Sequence, residues 1–401
     1  MIPARRLAWA GAASLVVFLG ACAHAPVAPP VPGAVLESVP PESWPELVDD
    51  LQGEGIAGAC AASQHFFERL PGDRVFAFGS WERTADELAE GVRRACEFVD
   101  LPVEERGRAF RDEFLLLRSV GRNGRGEVFF TGYYEPLLDA RRTETVPYSF
   151  PVYGLPDDLV TVHLADFTAA ASTAKIVGRV EGRRLVPYPE RAAIDFGSGL
   201  DGGAEVLGWV DDPVDVFFLH VQGSGTLVFD DGERLRAGYA ATNGRPYRSI
   251  GRLLIDDGLV SSDEMSMQAI RSYLDEHPDE LNRVLSFNPS YVFFRSLPPA
   301  GGPLGCYGEP VTGGRSIATD RSLFPAPVMA WVKTSLPTLD GGDDEIARFV
   351  LNQDTGGSIK GPGRVDLFIG QGDAAGEIAG RTKHTGELYF LLPKAGLVSV
   401  E

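Results

Sequence analysis

The spacing of apolar residues predicts helices near the start of the folded chain. Thr84 followed by Glu87 has the form of a capping box, in which each side chain bonds a backbone N–H of the other residue. The residues after it place apolar side chains on one helical face, at Leu88, Val92, Ala95 and Val99. The segment from 104 to 120 repeats this spacing with Phe110, Phe114 and Leu117, and it predicts a second helix.

From Glu127 onward the pattern changes to short apolar runs separated by turn residues. The run EVFFTGYYEP, residues 127–136, predicts a strand. Residues 214–229, VDVFFLHVQGSGTLVF, predict two strands joined by a glycine-rich turn. Residues 230–232, Asp-Asp-Gly, predict a further turn before the strand that contains RLRAGYA.

A helical pair interrupts these strands. Ser262 is placed to cap a helix over 263–277, and Pro278 opens a second helix over 279–285. A strand returns at 288–295, and the Pro- and Gly-dense stretch 297–305 marks the clearest internal boundary. Beyond that boundary, short strands at regular spacing predict a small barrel, with strands at 316–319, 328–333, 347–353, 364–369 and 388–392.

The composition is that of a folded protein with an acidic surface. The chain has 401 residues, 44% of them hydrophobic and 23% charged, which is enough for one large domain or two ordinary ones. The formal net charge of −19 disfavours a polyanionic partner such as nucleic acid.

The first 22 residues have the features of an export signal. Arg5 and Arg6 precede the apolar run 7–19, which is short for a membrane span, and small residues lead to Cys22. This resembles a bacterial lipoprotein signal in which Cys22 is lipidated; the alternative is an ordinary signal peptide. Ala23 is not the Asp of inner-membrane retention, so the resemblance implies an outer-membrane anchor at its periplasmic face. Residues 23–45 are Pro-rich and predict an extended tether.

Cysteine and histidine spacing gives no metal motif. Three cysteines remain in the folded part, and an oxidising compartment permits a bridge between Cys60 and Cys96, with Cys306 left over. No CxxC or HExxH spacing occurs, so we expect no structural or catalytic metal and no cofactor.

The stretch NQDTGGSIKGPGRVDLFIG, residues 352–370, offers three chemistries. Asp354-Thr355-Gly356 looks like half of an aspartic-protease dyad, but the chain has no second such triplet. The glycines with Lys360 lack the Gly-Lys-Ser/Thr ending of a phosphate loop, because Lys360 precedes Gly361. The remaining role for Asp354 is to bond the backbone of a tight turn.

Asp366 lies in an alternating strand beside this turn. Alternation places Val365, Leu367 and Ile369 on a core face, and Arg364, Asp366 and Phe368 on the other. A carboxyl beside a Phe in a groove is a candidate for a raised pKa and for general-acid work. The competing interpretation is an Asp paired with Arg364 or Lys360 on a solvated strand.

Long motifs in a fixed order resemble one family. RSIATDRSLFP, NQDTGGSIKGPGRVDLFIGQG and AGRTKHTGELYFLLPK resemble the C-terminal three-aspartate domain of the membrane-bound lytic murein transglycosylase A family. FTGYYEPLLDARRT, DVFFLHVQGSGTL, GYAATNGRPYRSIG, MSMQAIRSYL and NPSYVFFR resemble its insert. The resemblance implies a mainly β fold with N-terminal and inserted helices. It implies a double-psi β-barrel domain (46–132 and 297–401), a β-rich inserted domain (133–296), and a glycan groove between them.

The same resemblance implies an activity and a set of site residues. The activity is non-hydrolytic cleavage of peptidoglycan between N-acetylmuramic acid and N-acetylglucosamine, leaving a 1,6-anhydro sugar. Asp366 corresponds to the single catalytic acid, with Asp320 and Asp354 in supporting roles. The remaining motif residues are candidates for glycan contact: Thr131, Tyr133, Tyr134, Gln222, Ser224, Asn243, Arg245, Tyr247 and Arg248.

The expected partners are peptidoglycan strands, the membrane through the lipid anchor, and cell-wall enzyme complexes, with a monomer as the default state. Two alternatives stay open from the sequence. One is a non-catalytic peptidoglycan-binding lipoprotein that uses the same groove. The other is a true glycoside hydrolase.

Overall fold

The computed structural model describes residues 34–168, 175–200, 203–298 and 302–397. The signal segment, Cys22 and the first part of the Pro-rich tether lie outside these residues. Within the described ranges, none of the helices has the length and apolar character needed to span a bilayer.

Strands occur along the whole described part of the chain. In chain order they are β1 Leu36–Ser38, β2 Val75–Phe78, β3 Trp81–Thr84, β4 Phe114–Ser119, β5 Val128–Glu135, β6 Leu137–Ala140, β7 Phe150–Tyr153, β8 Val160–His163, β9 Lys175–Glu181, β10 Arg184–Pro187, β11 Val206–Val210, β12 Ser224–Phe229, β13 Arg234–Thr242, β14 Val292–Leu297, β15 Ser316–Ala318, β16 Met329–Pro337, β17 Asp343–Asp354, β18 Arg364–Gln371 and β19 Lys383–Pro393.

The helices lie mainly at the start of the chain and between the strands of its middle third. In chain order they are α1 Ile56–Glu68, α2 Ala85–Val99, α3 Val103–Glu113, α4 Arg191–Asp195, α5 Pro213–Gln222, α6 Ile250–Asp256, α7 Met267–Glu276, α8 Leu281–Ser286 and α9 Gly372–Arg381. Short 3₁₀ turns occur at Pro41–Ser43, Leu164–Asp166 and Pro278–Glu280.

Six strands close into a barrel. The hydrogen-bonded order is β19-β16-β17-β15-β18-β5, and β5 pairs back onto β19. The pairs β15–β17 and β18–β5 are parallel, and the others in the ring are antiparallel. Strands β4 and β1 extend the sheet outward from β19. The core of this unit includes Trp331, Phe349 and Phe390, each at most 2% exposed. The expected mainly β fold is therefore confirmed, with the barrel as its centre.

The chain leaves the barrel after β5 and rejoins it at β15. Between them lies a four-stranded sheet, in the order β14-β13-β12-β6, with two smaller sheets, β11-β7 and β10-β9-β8. Helices α4 to α8 belong to the same segment. Its apolar clusters are separate from that of the barrel, with Leu227 and Phe294 in one and Phe217 and Leu254 in another. This segment therefore has its own core.

One predicted helix ends early in the structure. The helix expected over 104–120 stops at Glu113, and Phe114–Ser119 forms β4 instead, paired with β19. The apolar run fits a helix and a buried strand equally well, and pairing with β19 decides between them. The capping box itself is confirmed: Glu87 N donates to Thr84 Oγ1 and Thr84 N to Glu87.

The expected strand at the start of 214–229 is wrong, because these residues form helix α5. Asp212 is its N-cap and accepts from Val214 N at 2.8 Å, Pro213 opens the first turn, and Gly223 ends it at φ 79°. The Asp-Pro start and the Gly end are the helix signals that the apolar run hides. The predicted strand after the glycine is confirmed as β12.

Two further helices differ from expectation. The helix capped by Ser262 begins later, at Met267, with Ser266 as its N-cap accepting from Ala269 N at 3.0 Å. Helix α9 had no counterpart in the predicted elements, because its three glycines weaken the helical signal. Those glycines allow close packing: a β-carbon at Gly376 would lie 2.8 Å from the ring of Tyr134.

The N-terminal helices are joined to each other and to the barrel. Cys60 on α1 and Cys96 on α2 form a disulfide, which confirms the pairing that the sequence permitted. Gln353 on β17 then ties α1 to the barrel. Its Nε2 donates to Ala59 O at 2.6 Å and to Ser63 Oγ at 3.0 Å, and its Oε1 accepts from Ser316 Oγ at 2.6 Å. These hydrogen bonds therefore hold β17 at the residue directly before Asp354.

We predict that Cys96→Ser lowers the free energy of unfolding by about 2–4 kcal/mol, because the bridge closes a 36-residue separation and so limits the unfolded chain. Urea unfolding of the oxidised protein and the variant measures this difference. Cys306→Ser, which removes the unbridged thiol, serves as the control and should change stability far less. An unchanged midpoint in Cys96→Ser would show that the bridge contributes little.

Candidate active site

The short strand β15 brings two of the three aspartates together. It lies between β17 and β18, and its Ala318 is the register partner of Asp354 on one side and of Asp366 on the other. Beyond β18, the parallel pairing with β5 sets Asp366 opposite Thr131. Four neighbouring strands therefore place two carboxyl groups and a hydroxyl at one level of the barrel.

One carboxyl oxygen of Asp366 accepts a hydrogen bond. Thr131 Oγ1 donates to Asp366 Oδ1 at 2.5 Å. Among the described residues, Oδ2 has no hydrogen-bond partner, and no cation lies within ion-pair distance of either oxygen. Burial raises the pKa of Asp366 above its usual range, while the Thr131 bond and the charge of Arg364 oppose this shift. The interpretation as an ion-paired Asp on a solvated strand therefore does not hold.

Both carboxyl oxygens of Asp354 accept hydrogen bonds. Thr355 N donates to Oδ1 at 2.8 Å, and Tyr133 OH donates to Oδ2 at 2.9 Å. Desolvation nevertheless raises the pKa of Asp354 to about 6, against these hydrogen bonds. Tyr133 also contacts Phe368, with ring centroids 5.1 Å apart, so the β5–β18 pairing positions the ring that orients Asp354.

Asp320 has a different environment from the other two aspartates. Its Oδ1 accepts from Ser322 N at 3.1 Å and from Ser322 Oγ at 2.7 Å, and its Oδ2 accepts from Gly361 N at 2.8 Å. Desolvation raises the pKa of Asp320, but the bonds from Gly361 and Ser322 outweigh it and lower the pKa below the usual value. This carboxylate braces the end of the glycine-rich turn that follows Asp354.

A cavity of about 310 Å³ opens beside Asp354 and Asp366. Most of its lining comes from the barrel unit, including the turn 356–359 and helix α9, and the rest comes from α5 and α7 of the inserted segment. A second cavity of about 310 Å³ shares five lining residues with the first, namely Thr131, Val221, Met267, Gly380 and Thr382. The two cavities are therefore adjacent.

Four of the nine predicted glycan-contact residues line these cavities. Thr131, Tyr133 and Gln222 line the first cavity, and Tyr247 lines the second, where its side chain is 46% exposed. Gln222 also accepts a bond from Tyr134 N to its Oε1 at 3.1 Å, which ties α5 to β5. Tyr133 and Gln222, which lie far apart in the sequence, thus line the same cavity.

The other five lie outside the lining of both cavities. Asn243 is fully buried: its Nδ2 donates to Pro189 O and Pro289 O, and its Oδ1 accepts from Arg245 N and Tyr291 N. Arg245 bonds Tyr188 O and pairs with Glu190. Tyr134 packs on α9, and Ser224 begins β12. Arg248 is exposed, with its guanidinium over Phe287.

Several lining residues had no functional role in the sequence interpretation. They include Val221, Met267, the turn 356–359, Arg364, Ala379, Gly380 and Thr382. Strand alternation had placed Arg364 on the same side as Asp366, and that was the one available signal. No group of three or more His, Cys, Asp or Glu within the described ranges is arranged to hold a metal ion.

Comparisons with known proteins identify the family. The sequence profile described as "MltA specific insert domain" matches residues 129–295, and the profile described as "3D domain" matches residues 315–392. The chain is 35% identical over 286 residues to membrane-bound lytic murein transglycosylase A of Escherichia coli K12, covering 70% of each chain. It is 34% identical over 277 residues to the Vibrio cholerae protein of the same name, covering 68% of this chain and 67% of that one.

Solved structures agree with these matches. A membrane-bound lytic murein transglycosylase from Agrobacterium tumefaciens superposes with a TM-score of 0.72 at 32% identity, covering 90% of this chain and 98% of the other. E. coli MltA with bound chitohexaose superposes with a TM-score of 0.69 at 27% identity, covering 91% and 96%. The fold and the site thus define an enzyme of the lytic transglycosylase class, and the chain belongs to the membrane-bound lytic murein transglycosylase A family.

The pKa shifts of Asp354 and Asp320 predict opposite effects of pH on the stability of the fold. Because the folded-state pKa of Asp354 lies above its unfolded value of 3.8, this carboxyl destabilises the fold progressively as pH rises from about 4 to about 6. Asp354→Asn should therefore gain stability relative to the wild type across that window, by up to about 3 kcal/mol at pH 7. Urea unfolding between pH 4 and pH 8 measures the difference.

Asp320→Asn provides the matched comparison. The pKa of Asp320 is lowered by folding, so its contribution is present above the unfolded value of 3.8 and is lost as pH falls below it. This variant should be less stable than the wild type at neutral pH. If both variants respond to pH in the same direction, the assignment of the two environments is wrong.

Proposed function

We propose that this chain is a lytic transglycosylase that cleaves the β-1,4 bond between N-acetylmuramic acid and N-acetylglucosamine in peptidoglycan without water, leaving 1,6-anhydromuramic acid ends. The observation that carries the proposal is the asymmetry of Asp366. One oxygen is held by Thr131, the other has no partner among the described residues, and burial raises the pKa of the group in a cavity.

Asp366 acts in turn as acid and base. Protonated Asp366 donates its proton to the glycosidic oxygen as the bond from that oxygen to the muramyl anomeric carbon breaks. The muramyl 6-hydroxyl oxygen then bonds to the anomeric carbon, and the Asp366 carboxylate takes the hydroxyl proton. The proton given and the proton taken balance, so no water is consumed. Because the nucleophile belongs to the substrate, one carboxyl replaces the pair that ordinary glycosidases use.

Asp354 and Asp320 support the acid. Asp354 is poorly suited to donate, because both of its oxygens accept hydrogen bonds from Thr355 and Tyr133. Its charge, when present, opposes ionisation of a neighbouring carboxyl and so favours protonated Asp366. Asp320 holds the turn after Asp354 through Gly361 N, and that turn forms one wall of the cavity.

The glycan lies along the two adjacent cavities, between the barrel and the inserted segment. Residues from both units line each cavity, and a relative binds chitohexaose. Thr131, Tyr133, Gln222 and Tyr247 are the proposed contacts, and Tyr134, Ser224 and Asn243 hold the elements that carry them. The parallel pairs within the six-stranded ring are consistent with a double-psi barrel.

The proposed location is the periplasmic face of the outer membrane, through lipid on Cys22. A single chain supplies all three aspartates and both cavities, which is consistent with a monomer. Relatives named membrane-bound support the membrane association, and cell-wall enzyme complexes are proposed as further partners.

Product analysis tests the reaction. Wild-type protein digesting purified peptidoglycan should release products with anhydro ends, and Asp366→Asn should lower the rate by about 10²–10⁴-fold because the proton donor is lost. Asp340→Asn, an exposed carboxylate in the turn between β16 and β17, is the control and should keep the wild-type rate. Mass spectrometry identifies the ends. Products heavier by one water identify a hydrolase, and binding without release identifies a non-catalytic binding protein.

The Thr131 bond predicts a shift in pH dependence. Turnover needs protonated Asp366, so activity declines as pH rises through the pKa of that group. Thr131→Val removes a bond that lowers this pKa, and the decline should therefore move to higher pH. The rate below the decline should fall by about 10-fold or more, because the carboxyl loses its orienting partner. Thr131→Ser keeps a hydroxyl and should stay near the wild-type profile. A shift to lower pH in Thr131→Val would contradict the assignment.

A further inference from the structure

Arg364 is a cation at the wall of the reactive cavity. It lies two positions before Asp366 on β18, so the two side chains leave the strand on the same side, about 6.6 Å apart along it. Arg364 lines the same cavity as Asp354 and Asp366. Its side chain is only partly exposed.

The guanidinium of Arg364 has few partners for its donors. Its Nη1 donates to Val365 O at 3.0 Å, and its guanidinium carbon lies 5.2 Å from the ring centroid of Phe129. Within the described parts of the chain, no carboxylate lies within 4 Å of it. An arginine carries five N–H donors and cannot lose its charge at neutral pH, so most of its bonding capacity is left for solvent or a ligand.

Other arginines near the site are differently placed. Arg122 lies over the same Phe129 ring, at 4.9 Å, but pairs with Glu127 at 2.9 Å and does not line the cavity. Arg245 is held by Tyr188 O and Glu190, away from both cavities. Arg248 is exposed over Phe287. Within the described ranges, Arg364 is thus the one lysine or arginine that lines the cavity beside Asp366.

Desolvation makes an anionic ligand favourable here. Burial disfavours the charged guanidinium and lowers the pKa of Arg364; the nearby charge of Asp366 opposes this shift, and the charge of Arg122 adds to it. An anion that enters the cavity offsets the cost of burying the guanidinium, and a carboxylate matches the planar fork of an arginine with two parallel bonds. A neutral sugar offers no such match.

We propose that Arg364 binds a carboxylate of the muramic acid residue next to the cleaved bond, which makes it a specificity-determining residue. The inference rests on the proposed function. In a peptidoglycan strand, only muramic acid carries a lactyl ether, whose carboxyl is either free or linked to a stem peptide with carboxylates of its own. N-acetylglucosamine is neutral. Arg245 and Arg248, the two arginines among the sequence-predicted glycan contacts, line neither cavity, so Arg364 takes this role instead.

Binding to three probes tests the proposal. Asp366→Asn removes turnover and mimics the protonated acid, so it serves as the background. The probes are chitohexaose, which has no carboxylate, a peptide-free hexasaccharide of alternating N-acetylglucosamine and N-acetylmuramic acid, and its peptide-bearing counterpart. Adding Arg364→Gln should weaken binding of a carboxylate-bearing probe by about 10–100-fold. Binding of chitohexaose should stay within about twofold of the background value.

Control variants and the comparison between probes show which group binds Arg364. Arg122→Gln in the same background removes a cation over the same ring but outside the cavity lining, and it should change the affinity for the carboxylate-bearing probes far less than Arg364→Gln does. Arg364→Lys keeps the charge without the fork and should lose less affinity than Arg364→Gln. A loss confined to the peptide-free probe assigns the lactyl carboxylate, and a loss confined to the peptide-bearing probe assigns the stem peptide.

Two outcomes overturn the inference: an equal loss for chitohexaose, or no loss for either anionic probe. Retained chitohexaose binding also shows that the variant is folded. Because the measurement uses an inactive background, it is independent of the product analysis of the wild-type enzyme. A hydrolytic product would contradict the proposed reaction but not the carboxylate selectivity. Anhydro products together with unchanged probe affinities would contradict the selectivity but not the reaction.

Discussion

The hydrogen-bonded register of β15 is the constraint on which the site depends. This three-residue strand pairs in parallel with β17 and antiparallel with β18, so Ala318 sets Asp354 and Asp366 at one level. The parallel pairing of β18 with β5 then adds Thr131 and Tyr133. A one-residue slip in any of these pairs would turn these side chains to the opposite face of the sheet. Closure of the barrel prevents such a slip, because each strand is held on both sides.

Burial acts to raise the pKa of all three aspartates, and the number of hydrogen bonds that each accepts distinguishes them. Asp320 receives three bonds and its pKa falls; Asp354 receives two, and its pKa still rises. Asp366 receives one from Thr131, and its other oxygen has no hydrogen-bond partner among the described residues. The same logic extends outward through Gln353, which connects the strand that ends in Asp354 to α1 and its disulfide. Of the three aspartates, Asp366 thus has the fewest hydrogen-bond partners within the described residues.

Local patterns predicted much of the architecture. Alternation and turn residues located β5, β13, β14 and the last five strands, and the capping box located α2. The failures share a physical cause: the apolar runs in α5 and β4 suit either a helix or a strand, so their caps and sheet partners decide. Helix α9 was missed because its glycines lower helix propensity; in the structure Gly376 packs against Tyr134 of β5, and Gly380 packs against Gln268 and Met267 of α7.

The sequence by itself determined the inventory of the site: three aspartates in family motifs, with Thr131, Tyr133 and Gln222 among the candidates that meet in one cavity. Tertiary structure decided their roles, because a pKa and a ligand contact depend on burial and on partners far along the chain. Asn243 is polar in sequence and fully engaged in the core, whereas Arg364 was noted only as a neighbour of Asp366. Only the packed barrel places that arginine beside Asp366 in the wall of one cavity, with no carboxylate within 4 Å of it among the described residues.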